Sequence, residues 1–261
     1  MKVFYALVLV IVLSSCQTEN ANYESYTSDL DDELITNLIN ASNGVGTSYY
    51  LLPDSDDFSR IPQDPLNPIT AEKVALGKLL LHETALGGNP KMDEMNGQYT
   101  CATCHPVASG FFSGRRQGIG EGGIGFGVNG EGRTFNTEMP LDSVDIQAVR
   151  PPTLLNLAYQ DVMLWNGQFG GTGTNAGTEA QWDHIPENAE GFQGVEVQAM
   201  QGQLEHRLKV NEEFVDSYNY RTMFDAAFYN IPQSERYTRK TAALAIAAFN
   251  RTILANQAPW Q

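Results

Sequence analysis

The side chains best suited to chemistry lie together in one short motif, Cys101-Ala102-Thr103-Cys104-His105. The chain has only three cysteines and four histidines, so this motif holds most of the thiols and one of the few imidazoles. Two thiols and an imidazole at this spacing can hold a zinc ion, act as a redox dithiol, form a disulfide, or attach a haem group. These four interpretations make different demands on the rest of the sequence.

Covalent haem attachment is the interpretation that uses all five positions of the motif. A zinc site needs a second pair of ligands at metal spacing, and His82, His184 and His206 form no such pair. A redox dithiol needs a strand-to-helix context, and a disulfide leaves the histidine unexplained. In haem attachment, both thiols add to the vinyl groups of the porphyrin and the histidine binds iron. We therefore expect one haem c, held by Cys101 and Cys104, with His105 as its iron ligand.

The segment after the motif is unusually rich in glycine. Ten of the 23 residues at 110–132 are glycine. Glycine lets the backbone approach a flat macrocycle closely and take positive φ. The stretch GIGEGG at 118–123 formally matches a dinucleotide-binding fingerprint, but no strand precedes it and no amphipathic helix follows it. The glycines therefore favour a cofactor-wrapping loop over a nucleotide site.

The elements that must position this motif are predicted to be helical. Thr70 is a suitable N-cap for a helix over 71–83, where Leu76, Leu79 and Leu80 form an i, i+3, i+4 stripe. Long irregular loops lie between the helical segments, and such loops usually wrap a ligand. The fold class is therefore mainly α, with long glycine-rich loops. Further helices are expected over 33–40, from Thr153 onward, and over 195–208, 212–228 and 238–255.

The N-terminus has the pattern of an export signal. A positive end is followed by an apolar run at residues 3–13, well short of the ~20 residues that span a membrane. The run ends in Leu-Ser-Ser-Cys, which resembles a bacterial lipoprotein cleavage site. We therefore expect a signal peptide over 1–15, a lipid anchor on Cys16, a flexible tether over 16–60 and a periplasm-facing location. An ordinary signal peptide with an incidental cysteine is the alternative.

The composition is strongly acidic, which bears on possible partners. The formal charge is −15 and becomes −16 when residues 1–15, with Lys2, are removed. Nucleic acid is therefore a poor partner, whereas the negative electrostatic field of the chain would attract a basic, diffusible protein. Solubility of an exported protein is an equally good explanation of the acidity.

Beyond the motif, the chain resembles the bacterial diheme cytochrome c peroxidases from about Ile61 to its C-terminus. The resemblance implies a cytochrome c-like haem domain over 61–261 that reduces hydrogen peroxide to water. It also implies electrons from a small donor protein of the cytochrome c or cupredoxin type. The segments that carry it, in the family's order, are VALGKLLLHETALGG, CATCH, RPPTLLNLAYQDVMLWNGQF, VEVQAM and AIAAFNRTIL.

Members of that family carry two haem domains, but this chain has one Cys-x-x-Cys-His motif. We therefore expect the second-haem domain to be absent from this chain, either because the chain is a truncated or split product or because a second-haem domain acts in trans as a partner. The family's interdomain calcium uses an asparagine near the position of Arg150, so calcium is doubtful. A single-haem electron carrier or an inactive partner subunit is the alternative function.

The resemblance also assigns candidate catalytic residues. Glu121 stands where many members have a distal histidine, and there it would be a weak iron ligand or a proton acceptor. The alternative is that Glu121 is a solvated charge in a loop. Gln198 matches the active-site glutamine, and Trp165 matches the tryptophan between the haems, with a core aromatic as the alternative. The family's glutamate ten residues after the glutamine is missing.

Near that position the sequence offers Glu205 and His206, on roughly the helix face of Gln198. His206 is the better general acid/base because the ordinary pKa of histidine lies near neutrality; a structural histidine is the alternative. His82 is expected to pack in the core near the haem.

Overall fold

The computed structural model of the chain describes residues 29–257. The predicted signal peptide and the anchor at Cys16 lie outside this range. The described chain divides into two compact units, with the boundary between Leu51 and Leu52. The first unit contains helix α1 (Asp29–Ala41) and a 3-10 turn (Thr47–Tyr50). Helix α1 includes the short helix predicted over 33–40, and none of its residues is buried.

The second unit is mainly helical, as predicted. Its only strands within the described range are β1 (Gly123–Ile124) and β2 (Thr134–Phe135), which pair antiparallel with Gly123 opposite Phe135. Its helices are α2 (Ala71–His82), α3 (Cys101–Cys104), α4 (Gly194–Glu205), α5 (Glu212–Ser217), α6 (Arg221–Ala227), α7 (Gln233–Arg236) and α8 (Arg239–Arg251).

Two of the helix predictions need correction. The segment from Thr153 is extended and reaches only a 3-10 turn at Leu157–Tyr159. Two prolines precede Thr153, and its hydroxyl accepts a hydrogen bond from Leu155 N at 3.1 Å, which competes with a helical bond. The helix predicted over 212–228 is two helices, because Asn219 takes a positive φ of 61° between α5 and α6.

The core of the second unit forms where α2 and α4 pack against α8. Leu76, Leu80 and Leu81 of α2 are fully buried, and α8 is buried along nearly its whole length. The N-cap prediction for α2 is confirmed, since Thr70 Oγ1 accepts from Lys73 N at 3.2 Å. None of the helices described is long and apolar enough to cross a membrane.

A glycine sets how closely α2 and α8 approach each other. A Cβ placed on Gly77 would lie 1.9 Å from the carbonyl oxygen of Ala245. Backbone cannot yield as a flexible side chain does, so we expect Gly77→Ala to lower the free energy of unfolding by about 1–3 kcal/mol. Urea unfolding followed by circular dichroism measures this change.

Gly202 in α4 is the matched control for this experiment. A Cβ there would meet nothing within 4 Å. Gly202→Ala should therefore stabilise the protein by roughly 0.5–1 kcal/mol, since alanine loses less conformational freedom in a helix. Equal effects of the two substitutions would contradict the close approach of α2 and α8.

Candidate haem-attachment site

The cysteine motif forms a single helical turn, α3, that is fixed to the end of α2. Thr100 caps this turn, and its backbone N–H donates to Thr103 Oγ1 at 2.9 Å. The Thr100 hydroxyl donates to the carbonyl oxygen of Leu81 at 3.0 Å, and this bond is buried. The turn that carries both cysteines is therefore held against the helical core.

His105 follows the turn with one ring nitrogen already bonded. Its Nδ1 lies 3.0 Å from the carbonyl oxygen of Phe111. Histidines that bind metals usually donate their second ring nitrogen to a carbonyl in this way, which leaves Nε2 for the metal. Burial lowers the pKa of His105, the bond to Phe111 opposes that shift, and the nearby His206 lowers it further. The neutral imidazole that binds iron is therefore favoured.

The two thiols fit haem attachment better than the other interpretations. Cys101 and Cys104 are not joined in a disulfide. Burial raises the pKa of Cys101 to about 11 and that of Cys104 to about 12, whereas redox and zinc-binding cysteines have a depressed pKa. Across residues 29–257, no group of three or more histidine, cysteine or acidic side chains is arranged to hold a metal ion. Two free thiols are followed directly by a histidine whose Nδ1 contacts a carbonyl oxygen, and this set of side chains fits a covalently attached haem.

The segment 150–153 braces the loop that follows His105. The Arg150 guanidinium lies 4.2 Å from the centroid of the Phe112 ring and donates to the carbonyl oxygen of Ser113 at 2.9 and 2.6 Å. The Thr153 hydroxyl donates to the carbonyl oxygen of Gly110 at 2.6 Å. This segment, predicted as a helix start, instead orients the loop that binds the imidazole.

The glycine-rich loop packs directly on the motif. A Cβ on Gly118 would lie 2.6 Å from Cys104 Sγ, and one on Gly120 would lie 2.6 Å from Asp145 Oδ2. The buried guanidinium of Arg133 holds the loop by donating to the carbonyl oxygens of Ile119 and Gly120, at 2.5 and 2.6 Å. Glycine is required at positions 118 and 120 because neither has room for a side chain.

Glu121 lies in this loop and is fully buried. Its Oε2 pairs with Arg207, at 2.8 Å from Nε and 2.6 Å from Nη2, and its Oε1 accepts from Met92 N at 3.0 Å. The alternative of a solvated loop charge is therefore wrong. Beside the pair, burial and then the Glu121 charge raise the pKa of Tyr99 to about 12. The Arg207 guanidinium, which faces the Tyr99 hydroxyl, opposes this rise in pKa.

His206 pairs with a carboxylate that sequence reasoning missed. Its Nδ1 lies 2.6 Å from Asp145 Oδ2, and 32% of the His206 side chain is exposed. Asp145 is 61 residues away in the chain and belongs to no motif. No signal in the sequence pointed to this contact.

Two other candidates stand apart from this cluster. Gln198 lies half-buried within α4, and its side chain makes no hydrogen bond to the described residues. Glu205 is exposed at the end of α4, and His206 caps that end. Glu205 is the last residue of α4 and lies seven residues after Gln198, so it continues the same helix face as predicted, whereas the helix ends before His206.

Two aromatic side chains are more exposed than expected. Trp165 is fully exposed, on the turn between the bridged residues Met163 and Phe169, so the core-aromatic alternative is wrong. His82 is also exposed, with Nδ1 at 2.9 Å from the carbonyl oxygen of Lys78, and does not pack in the core. The last turn of α2 points this histidine to solvent.

Comparisons with a protein-family model and with individual relatives point to the same family. Residues 71–261 match the di-haem cytochrome c peroxidase family. Cytochrome-c peroxidase IdrP1 of Denitromonas iodatirespirans is 30% identical over 75% of this chain and 39% of its own length. Methylamine utilization protein MauG of Methylorubrum extorquens is 26% identical over 77% of this chain and 43% of its own length. The chain thus spans less than half the length of either relative.

Among solved structures, a MauG-like protein associated with microbial copper homeostasis aligns with 78% of this chain and 46% of its own. The identity is 20% and the TM-score 0.42.

Proposed function

The chain belongs to the di-haem cytochrome c peroxidase family, and we propose that it reduces hydrogen peroxide to water at one covalently attached haem. The observation that carries the proposal is the contact of His105 Nδ1 with the carbonyl oxygen of Phe111, which orients the imidazole next to the two thiols in the way that metal-binding histidines are usually oriented. The polar cluster of Glu121, Arg207, Asp145 and His206 supports it, because peroxide cleavage needs proton transfer as well as electrons.

The overall reaction joins one peroxide with two electrons and two protons to give two waters. Haem, when bound through Cys101, Cys104 and His105, supplies the electron transfer. His206 is the group we assign to moving protons, because its side chain is partly exposed and its charge is felt at His105. Glu121 is committed to Arg207 and to Met92 N–H, so we assign it to holding the cluster together.

The partners are a small electron-donor protein and a second-haem domain. The formal charge of −15 favours a basic donor of the cytochrome c or cupredoxin type. Trp165 is fully exposed and is the side chain we assign to electron entry. We further propose a periplasm-facing location, with a lipid anchor at Cys16.

An electron carrier is the second candidate, and Met92 is the observation that favours it. Its backbone N–H donates to Glu121 Oε1 at 3.0 Å, so the Met92 backbone lies beside the polar cluster, and methionine is a common iron ligand in electron-carrying cytochromes. A carrier needs a stable six-coordinate iron, whereas peroxide chemistry needs an open position.

The spin state and the peroxide reaction of the purified haem protein separate the two candidates. We expect a high-spin ferric spectrum and a Soret shift within seconds of adding one equivalent of peroxide. Met92→Leu should leave both unchanged, as should Met139→Leu, which replaces another methionine the sequence places in a loop. A low-spin spectrum that turns high-spin in Met92→Leu alone would reject the peroxidase in favour of the carrier.

A further inference from the structure

We propose that Asp145 is a positioning residue for proton transfer, which holds His206 so that Nε2 exchanges protons with peroxide. This inference rests on the proposed peroxide reaction and adds a residue and a role to it. The pair is short, with 2.6 Å between Asp145 Oδ2 and His206 Nδ1. A carboxylate at Nδ1 keeps the proton on that nitrogen and leaves the lone pair on Nε2.

The backbone around Asp145 is fixed to the glycine loop by two hydrogen bonds. Asp145 N–H donates to the carbonyl oxygen of Glu121 at 2.9 Å, and Gly120 N–H donates to the carbonyl oxygen of Asp145 at 2.9 Å. Gly120 has no room for a side chain on this face, since its Cβ would strike Asp145 Oδ2. The backbone of Asp145 is therefore held by the loop, and the absence of a side chain at Gly120 leaves room for the carboxylate that contacts His206.

Both carboxylate oxygens of Asp145 are engaged. Oδ2 faces His206, and Oδ1 accepts from Gln147 Nε2 at 3.3 Å. The side chain is only 12% exposed, so solvent screens the contact weakly. Gln147 fixes the plane of the carboxylate, and this orients the imidazole in turn.

The pair lies beside the haem-attachment motif, because Gly118 packs on Cys104 Sγ and its carbonyl oxygen accepts a hydrogen bond from Gln147 N–H at 3.0 Å. Burial is the main cause that raises the pKa of Cys104, and the charge of Asp145 is the second. The charge of His206 is among the causes that lower the pKa of His105. The other charged groups of the cluster, Glu121 and Arg207, form their own ion pair. Asp145 is therefore the carboxylate available to His206.

The proton transfers balance without net change in His206. His206 takes a proton at Nε2 from one peroxide oxygen, and Asp145 stabilises the resulting imidazolium. His206 then returns this proton to the distal oxygen as the O–O bond breaks, and that oxygen leaves as water. The two electrons come from the donor protein by way of the haem, and two protons from solvent complete the second water.

Cyanide and carbon monoxide test this role on the haem-loaded protein without turnover. Hydrogen cyanide must lose a proton to bind ferric iron, whereas carbon monoxide binds ferrous iron with no proton transfer. We expect Asp145→Asn to slow cyanide binding and the first peroxide reaction by about tenfold to a hundredfold, the usual effect of losing such a partner. The rate of carbon monoxide binding should stay at the wild-type value.

Glu205→Gln is the matched control, because it removes an exposed carboxylate adjacent to His206 in sequence. It should leave all three rates unchanged.

In a His206→Gln background, Asp145→Asn should not slow cyanide binding or the peroxide reaction any further, because Asp145 acts through the imidazole. A collapsed pocket would slow carbon monoxide as well.

Several results would overturn the inference. These are wild-type cyanide and peroxide rates in Asp145→Asn, an equal loss of carbon monoxide binding, or additive effects in the double variant. If the Asp145→Asn protein cannot be obtained, wild-type cyanide and peroxide rates in His206→Gln would still overturn the inference. A wild-type protein that fails to react with peroxide would instead reject the proposed function.

Discussion

Replacing both Cys101 and Cys104 with alanine is expected to abolish covalent haem attachment. Each thiol forms one thioether bond, so the double variant keeps neither. Either single variant should keep one bond, with a haemochrome band shifted toward that of haem with one free vinyl. The mass of the denatured protein and the pyridine haemochrome spectrum measure both outcomes. Haem that stays bound after denaturation of the double variant would refute the assignment of the motif.

Cys16→Ser is the matched control for the thiols, because it removes the remaining cysteine outside the motif. It should leave haem content unchanged. The same variant tests the proposed lipid anchor, since the native protein should partition into detergent and Cys16→Ser should not. Equal membrane association of the two proteins would reject the anchor while leaving the haem assignment intact.

The iron ligand has its own control in an exposed histidine. His105→Ala should lose the spectrum of histidine-ligated haem and the peroxide reaction together, because Nε2 of that ring is the nitrogen left for iron. His184→Ala removes an exposed histidine that lies far from the motif in sequence. We expect the latter variant to match the wild type in spectrum and in rate.

The parts of the site that could be predicted from sequence are those fixed by local chemistry. The Thr70 cap depends on residues three apart, and the cysteine motif is specified by five consecutive positions. By contrast, the helix predicted from Thr153 onward does not form. Helical propensity takes no account of the hydrogen bonds that the Thr153 hydroxyl makes with Gly110 and Leu155. Local rules predict an element well only when no distant group binds the same backbone.

The parts that could not be predicted depend on distant pairings. Glu121 and Arg207 are 86 residues apart, and their contact depends on α4 ending at Glu205 and on Arg207 taking a positive φ of 53°. Periodicity gave no sign that the helix would stop there. His206 was singled out by its chemistry, but its carboxylate partner became visible only once the glycine loop was placed.

A buried ion pair between α4 and α8 should carry the largest stability effect in the chain. Glu196 and Arg251 are both fully buried, with Nε at 2.9 Å from Oε1 and Nη2 at 2.6 Å from Oε2. Three more groups complete their hydrogen bonds, which leaves neither charge uncompensated. These are the Asn67 amide at 3.2 Å, the Gln193 side-chain oxygen at 3.0 Å and the Pro62 carbonyl oxygen at 3.2 Å.

Arg251→Met is therefore expected to lower the free energy of unfolding by about 3–5 kcal/mol, because it leaves a buried carboxylate without its partner. Glu196→Gln should cost a similar amount by leaving a buried guanidinium. The double variant should recover part of the loss, since neither charge then remains. Urea unfolding of the haem-loaded proteins gives the three values, and a double variant whose cost equals the sum of the two single variants would contradict the pairing.

Lys209 and Glu213 supply the surface comparison for that cycle. Their pair spans 3.2 Å, but the two side chains are 43% and 75% exposed, so solvent screens it. Lys209→Met and Glu213→Gln should each change the free energy of unfolding by about 1 kcal/mol or less.

The buried pair should also affect the site. Because Glu196 lies in the first turn of α4 and His206 caps the end of that helix, Arg251→Met should slow cyanide binding, while the surface variants should not. Wild-type cyanide kinetics in a destabilised Arg251→Met protein would show that His206 is held by Asp145 and the glycine loop alone.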